Sequence, residues 1–211
     1  MRLLLTFFLA LTLSTIAAGG SEANEENPED SETRFPSPDG RYAMLVTEDP
    51  GGDSQKDRVE LIELSTKRVL ALLSDPEDAT ENWRYAKLDW SADSRRVAAY
   101  TGFKKGGGTR IFVRDADGFA EVKLPDLPDL PEEPSPKIAK KNPEGFPRVI
   151  TIRSLHFVRW LESGGVVLEL SNCFGGSNGT QGWEITITID IDAHRRATIK
   201  KVVKKETFVP E

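Results

Sequence analysis

Beyond residue 34 the chain is written in short apolar runs separated by polar or glycine-rich segments. WEITITID (183–190) alternates cleanly, with Ile185, Ile187 and Ile189 on one face and Thr186 and Thr188 on the other. Period-two alternation and β-branched enrichment of this kind predict strands. The same reading covers RYAMLV (41–46), RVELIEL (58–64), VLALLS (69–74), WRYAKLDW (83–90), RRVAAY (95–100), TRIFVR (109–114), FAEVKL (119–124) and ITIRSLHFVRW (150–160). It extends to VVLEL (166–170) and RATIKKVV (196–203). No segment after residue 18 carries an apolar stripe at helical spacing with caps, so the expected class is all-β.

The runs repeat. SPDGRYAMLV (37–46) returns as SADSRRVAAY (91–100), and placing Trp90 on Trp160 sets WSADSRRVAAY over the worn copy WLESGGVVLEL (160–170). In each, a turn tetrad precedes an apolar strand. Ser and Asp side chains can bond nearby backbone, Pro38 presets the second turn position, and Gly40 tolerates the exit conformation. Each copy then runs strand, glycine-rich loop, strand, tight turn, strand. The second and third copies also have a strand before the tetrad.

A four-strand meander with Trp closing its first strand and a Ser-x-Asp turn after it resembles the WD-like β-propeller repeat of TolB-type periplasmic proteins. The resemblance covers about Phe35 to Val203 and weakens in the third copy, where Leu161 and Glu162 stand in place of Ser and Pro or Ala. It implies about three antiparallel four-stranded blades and binding of protein or peptide partners across one face. The intervals are long: 54 residues from Asp39 to Asp93 and 70 from Trp90 to Trp160, against about 40–45 for repeats of this type. The second excess is PDLPDLPEEPSPKIAKKNPEGFP (125–147), expected to be an extended, poorly ordered Pro-rich insertion. About three blades fall short of the minimum of roughly four for a closed ring. An open or incomplete three-sheet unit, completion by another chain, and a β-sandwich all stay open, with three propeller-like blades in one unit the favoured reading. The expected organisation is 35–124 for blades one and two and 148–205 for blade three.

The ends set the compartment. MRLLLTFFLALTLSTIAAGGSEA places one Arg before an apolar run (3–18) and small residues, the order of a secretory signal peptide cleaved after Ala18 or Ala23. The expected protein is exported, periplasmic or secreted, and meets a membrane only through that segment if it is retained. SEANEENPEDSE (21–32), with six acidic and no basic residues, reads as part of a disordered tail over 19–34. A net charge of −6 argues against nucleic acid. The single cysteine, Cys173, offers no internal disulfide. Lys200, Lys201, Lys204 and Lys205 suit a protected edge strand at the C-terminus.

Candidate chemistry is thin. GGSNG (175–179) matches a G-x-S-x-G pattern, with Asp190 and His194 following Ser177. The motif needs a helix after the serine, and here a strand follows. His156 lies mid-strand, and the two histidines and one cysteine give no zinc spacing. DADG (115–118) lacks the remaining ligands of a calcium loop and reads as a hairpin turn. KKGGGTR (104–110) could form an anion-binding nest, and Asn178 opens an N-x-T glycosylation pattern. No cofactor or metal is implied, and a non-catalytic binding module is expected over a hydrolase or lyase acting on envelope or extracellular polymers. In a meander, the three glycine-rich segments fall at one end and the tight turns at the other. Long loops concentrate function, so a protein or acidic glycan is expected at the glycine-rich end, at Lys104, Lys105, Arg110, Asn178 and Trp183.

Overall fold

The computed structural model describes residues 31–47, 58–74, 83–103, 106–116, 118–133, 135–140, 143–145, 148–176 and 178–210. They form twelve strands and one helical turn. β1 (Ser31–Arg34), β2 (Tyr42–Thr47), β3 (Arg58–Glu63) and β4 (Val69–Ser74) make an antiparallel four-strand meander in sequence order. β5 (Trp83–Trp90), β6 (Arg96–Phe103), β7 (Gly106–Arg114) and β8 (Phe119–Val122) make a second. After α1 (Pro136–Ala139) come β9 (Arg148–Trp160), β10 (Val166–Gly176), β11 (Gly179–Ile191) and β12 (Ala197–Val209), the third. A short parallel contact, Gly106 with Arg153 and Gly107 with Ser154, joins the second and third meanders into one eight-stranded sheet. The chain is all-β, as its alternation predicts.

The repeated phrase is repeated bond for bond. The Ser37 hydroxyl donates to Asp39 Oδ1 at 2.6 Å, and that carboxylate accepts from the Arg41 amide. The Ser91 hydroxyl donates to Asp93 Oδ1 at 2.6 Å, and that carboxylate accepts from the Arg95 amide. Each serine oxygen also accepts the amide of the first strand residue, Tyr42 or Arg96. The fourth turn residue takes a positive φ in all three copies: Gly40 at 67°, Ser94 at 55° and Gly164 at 95°. Ser94 bears a side chain there, and its buried hydroxyl accepts the Asp39 amide from the neighbouring turn at 3.0 Å. The third turn keeps the bond from Gly164 to Leu161, but its Leu161 amide donates to Gly165, one residue sooner than in the other copies, and the serine–aspartate pair is gone.

The second meander is buried on both faces. Val97, Ala99 and Phe112 join Tyr42, Met44, Val46 and Leu61 of the first meander in one core. Ala98, Ile111 and Val122 face the other way, into a core with Leu168, Leu170, Ile185, Ile187 and Ile189 of the third. That is why 97–100 reads as an unbroken apolar run. The Trp90 indole donates to the Phe35 carbonyl at 2.8 Å, and the Trp160 indole donates to the Asp89 carbonyl at 3.1 Å. Asp89 stands 54 residues after Phe35, the same offset that separates Ser91 from Ser37, so the two contacts are copies of each other.

Three expectations are corrected. The end of the acidic tail is not free: Ser31–Arg34 pairs with Met44–Thr47 through backbone bonds, which need no apolar alternation. Two of the glycine-rich segments are not long loops. Phe103 pairs with Gly106 and Gly176 with Gly179, so in each case only two residues lie between the paired strands. Gly107 is glycine because a Cβ there would overlap the Tyr100 hydroxyl. The first glycine-rich segment, 48–57, lies outside the described residues, as does the signal segment.

The Pro-rich insertion is packed, not loose. Leu124, Leu127 and Leu130 lie against the second core, while Asp126, Asp129 and Glu132 are exposed. A three-residue period is that of a polyproline II helix, which puts every third side chain on one face. Beyond Leu130 the insertion crosses the third meander rung by rung. Asn172 Nδ2 on β10 donates to the Pro131 carbonyl, and Trp183 Nε1 on β11 donates to that of Glu133. Glu206 on β12 accepts from both the Ser135 amide and the Ser135 hydroxyl. Asn172, Trp183 and Glu206 are successive cross-strand partners.

Candidate functional site

Four tight turns of the second and third meanders converge on a shallow, solvent-open cleft of 660 Å³. Asp93, Arg95 and Arg96 come from the β5–β6 turn, and Arg114 and Asp115 from the β7–β8 turn. Ser163 and Gly164 come from the β9–β10 turn, and Asp192 to Arg195 from the β11–β12 turn. Each turn is stiff for a local reason. Asp115 Oδ1 accepts the Gly118 amide, and Asp192 Oδ1 accepts the amides of His194 and Arg196. Gly164 is held at positive φ beside the Arg96 guanidinium, which stacks over the Trp160 ring at 5.7 Å.

The charges of the cleft do not cancel. Asp93 pairs with Arg96 at 3.4 Å, Asp115 with Arg195 at 2.7 Å, and Asp192 with Arg196 at 2.9 Å. Desolvation pushes the Asp93 carboxyl up, but the Ser91 hydroxyl, the Arg95 amide and the charges of Arg96 and Arg95 outweigh it and hold it below its ordinary value. Asp192 is lowered by the Arg196 amide first, desolvation opposing, then by the Arg196 side chain and the His194 amide. Asp93 and Asp192 thus serve their own turns, while Asp115 also ties its turn to the β11–β12 turn through Arg195. Arg95 and Arg114 make no ion pair among the described residues. The Arg114 guanidinium lies over the Tyr42 ring at 5.2 Å.

The residues expected from sequence lie elsewhere. Lys104 and Lys105 fall outside the described residues. The β6–β7 and β10–β11 hairpin tips do share one end of the sheet, because β7 and β9 run parallel and the tips adjoin the starts of both. Asn178 sits at the second tip. Arg110 is a clamp between meanders: it pairs with Glu121 and donates to the Leu72 and Leu73 carbonyls at 3.2 and 3.3 Å. Trp183 holds the Pro-rich strap, and the Lys204 amine lies over its ring at 4.7 Å. The cleft is at the opposite end, among the tight turns. Arg95 stands inside the repeated phrase itself, but no spacing rule brings four turns from 93 to 195 together.

Asp190 and His194 lie at the far end of β11 from Asn178. Ser177 falls outside the described residues, and the thirteen-residue strand Gly179–Ile191 separates its neighbour Asn178 from the His194 turn. A different polar cluster was missed. Ser154 Oγ lies 2.7 Å from His156 Nε2 and 3.1 Å from the Tyr100 hydroxyl, and the Tyr100 and His156 rings stack at 4.7 Å. Ser154 is buried, where β7 meets β9, and these bonds satisfy it. Cys173 is a free thiol that burial pushes to higher pKa, away from the reactive thiolate. Among the described residues no group of three or more His, Cys, Asp or Glu is placed to hold a metal. None of the described helices is long and apolar enough to cross a membrane. No protein-family model and no curated protein matches the chain.

Proposed function

We propose that this chain is an exported, non-catalytic binding module built of TolB-like propeller-type repeats, and that its protein or acidic-glycan partner docks at the tight-turn end. The export assignment rests on the signal-like segment 1–18. The repeat assignment is supported by the matched indole contacts of Trp90 and Trp160, which stack one four-strand unit on the next in the same way twice. On this reading the units are three blades of an open array. The third blade's outward face is mostly polar, with Glu169, Thr186, Thr188 and Lys201 beside Val167 and an exposed Val203, as suits a capping repeat.

One observation carries the docking site: turns of two adjacent units converge on a single cleft whose basic groups outnumber their paired acids. The test uses the mature chain as bait in envelope extract or culture fluid. Ala193→Trp, which fills the cleft from an exposed turn position, is expected to abolish capture of the partner that the wild type retains. Asn178→Ala, at the opposite end, is expected to leave it unchanged. Capture lost with Asn178→Ala and kept with Ala193→Trp reverses the assignment.

A further inference from the structure

We infer that Arg95 and Arg114 form a clamp for a single carboxylate carried by a peptide partner, an assignment that rests on the docking site proposed above. The Arg114 amide donates to the Arg95 carbonyl at 2.8 Å, one rung beyond the Arg96–Val113 pair of the β6–β7 ladder. Directly opposed residues put their side chains on the same face, and like charges there are destabilising. Both residues line the same cleft and a second, smaller hollow with Asp93, Asp115 and Ala116. The ladder therefore sets two arginines opposite each other beside a concave surface, with no carboxylate paired to either among the described residues. The Tyr42 ring fixes Arg114 without neutralising it, and a planar guanidinium pair matches the geometry of a carboxylate.

The surroundings choose among anions. Asp93, Asp115 and Asp192 surround the pair, each paired with an arginine. A dense polyanion would meet those three carboxylates. One carboxylate flanked by neutral or basic groups would meet the two arginines and present its basic neighbours to the aspartates. A peptide with an isolated Asp, Glu or terminal carboxylate fits that pattern, and a highly sulfated glycan does not.

The probe is a short peptide with one aspartate between glycines and a lysine at each end, titrated into the full mature chain by calorimetry with the arginine Nε–Hε signals followed by NMR. Saturable binding is expected, with the Arg95 and Arg114 signals shifting. Weakening of about ten-fold is expected both for the asparagine counterpart and for Arg95→Gln, the loss of one charge-assisted bond. Arg95 makes no side-chain bond in the described fold, so that variant tests the site without disturbing the turn. Lys201→Gln, on β12, is expected to bind as the wild type does. Equal binding of the asparagine peptide, no saturable binding, or tighter binding of a heparin-type glycan that ignores Arg95→Gln overturns the clamp. Failure here with capture still lost in Ala193→Trp leaves the docking site standing. Saturable aspartate binding with capture unaffected by Ala193→Trp supports the clamp and removes the docking site.

Discussion

The interface between the first and second meanders and that between the second and third share one polar contact and are filled differently. At the first, the indole bond of Trp90 is backed by an aromatic cluster: Tyr42, Trp90 and Phe119 lie 5.2 to 6.1 Å apart. At the second, the indole bond of Trp160 is backed by branched aliphatics and by the leucines of the strap. Strand length explains the difference. The strands of the second meander have 8, 8, 9 and 4 residues, and those of the third have 13, 11, 13 and 13. A sheet that outruns its neighbour leaves apolar surface uncovered, and the strap covers part of it. Divergence of a repeat is tolerated when another part of the chain takes over the lost contact.

The largest expected effect breaks the aromatic side of this comparison. Trp90→Ala removes the indole bond and two ring contacts, and about 3 kcal/mol of stability should be lost in urea unfolding, the low end for a half-buried aromatic. Trp160→Ala removes the copied bond but only one aromatic contact, with Phe157 at 5.2 Å, and should cost about 1 kcal/mol less. Equal losses would mean that the indole bond, not the filling, dominates both interfaces.

The strap gives the next effect. Leu127→Asp puts a charge against the second core and should cost about 2 kcal/mol. Asp126→Ala, one residue away on the exposed side, should cost almost nothing. The strap should also resist limited proteolysis in the wild type and become the first internal site of cleavage in Leu127→Asp. Cleavage within 124–133 of the wild type ahead of any other described segment would break the packing assignment.

How much of this was legible follows from how local each device is. The turn phrase could be read directly, because Ser37, Asp39, Ser91 and Asp93 act on amides within five residues of themselves. The alternation of Ile185, Ile187 and Ile189 gave a strand for the same reason. The strap is hidden in the sequence because its leucines recur every three residues, a period that marks neither a strand (two) nor an α-helix (3.6). Glycines 106–108 read as a loop because glycine is a poor strand former, and the partner that calls for one there, Tyr100, is visible only after β6 and β7 pair. The cleft was hidden most deeply. Arg95 and Arg114 are ordinary surface arginines in the chain, and only the ladder sets them opposite each other.

The smallest expected effect separates the first two turns from the third. In Asp39, desolvation raises the pKa, but bonds from the Ser37 hydroxyl, the Arg41 amide and Ser94, with the Arg41 charge, bring it below the ordinary 3.8. Asp93 is lowered by the corresponding partners in its own turn, again against desolvation. A carboxyl depressed in the native state stabilises the fold fully above its unfolded value, and that contribution is lost as pH falls through the native value. The loss therefore lies below about pH 4, and it should stay under about 1 kcal/mol per turn because both carboxylates are exposed and screened. The third turn has Ser163 at the position matching Asp39 and Asp93, so no carboxylate there accepts the turn's own amides. Asp39→Asn with Asp93→Asn should lower stability at pH 7 and flatten its fall between pH 5 and pH 2 (about the range set by these values). Ser163→Ala should shift neither. An acid limb that remains as steep in the double variant would assign acid sensitivity to other carboxylates and leave the serine–aspartate turns a backbone device alone.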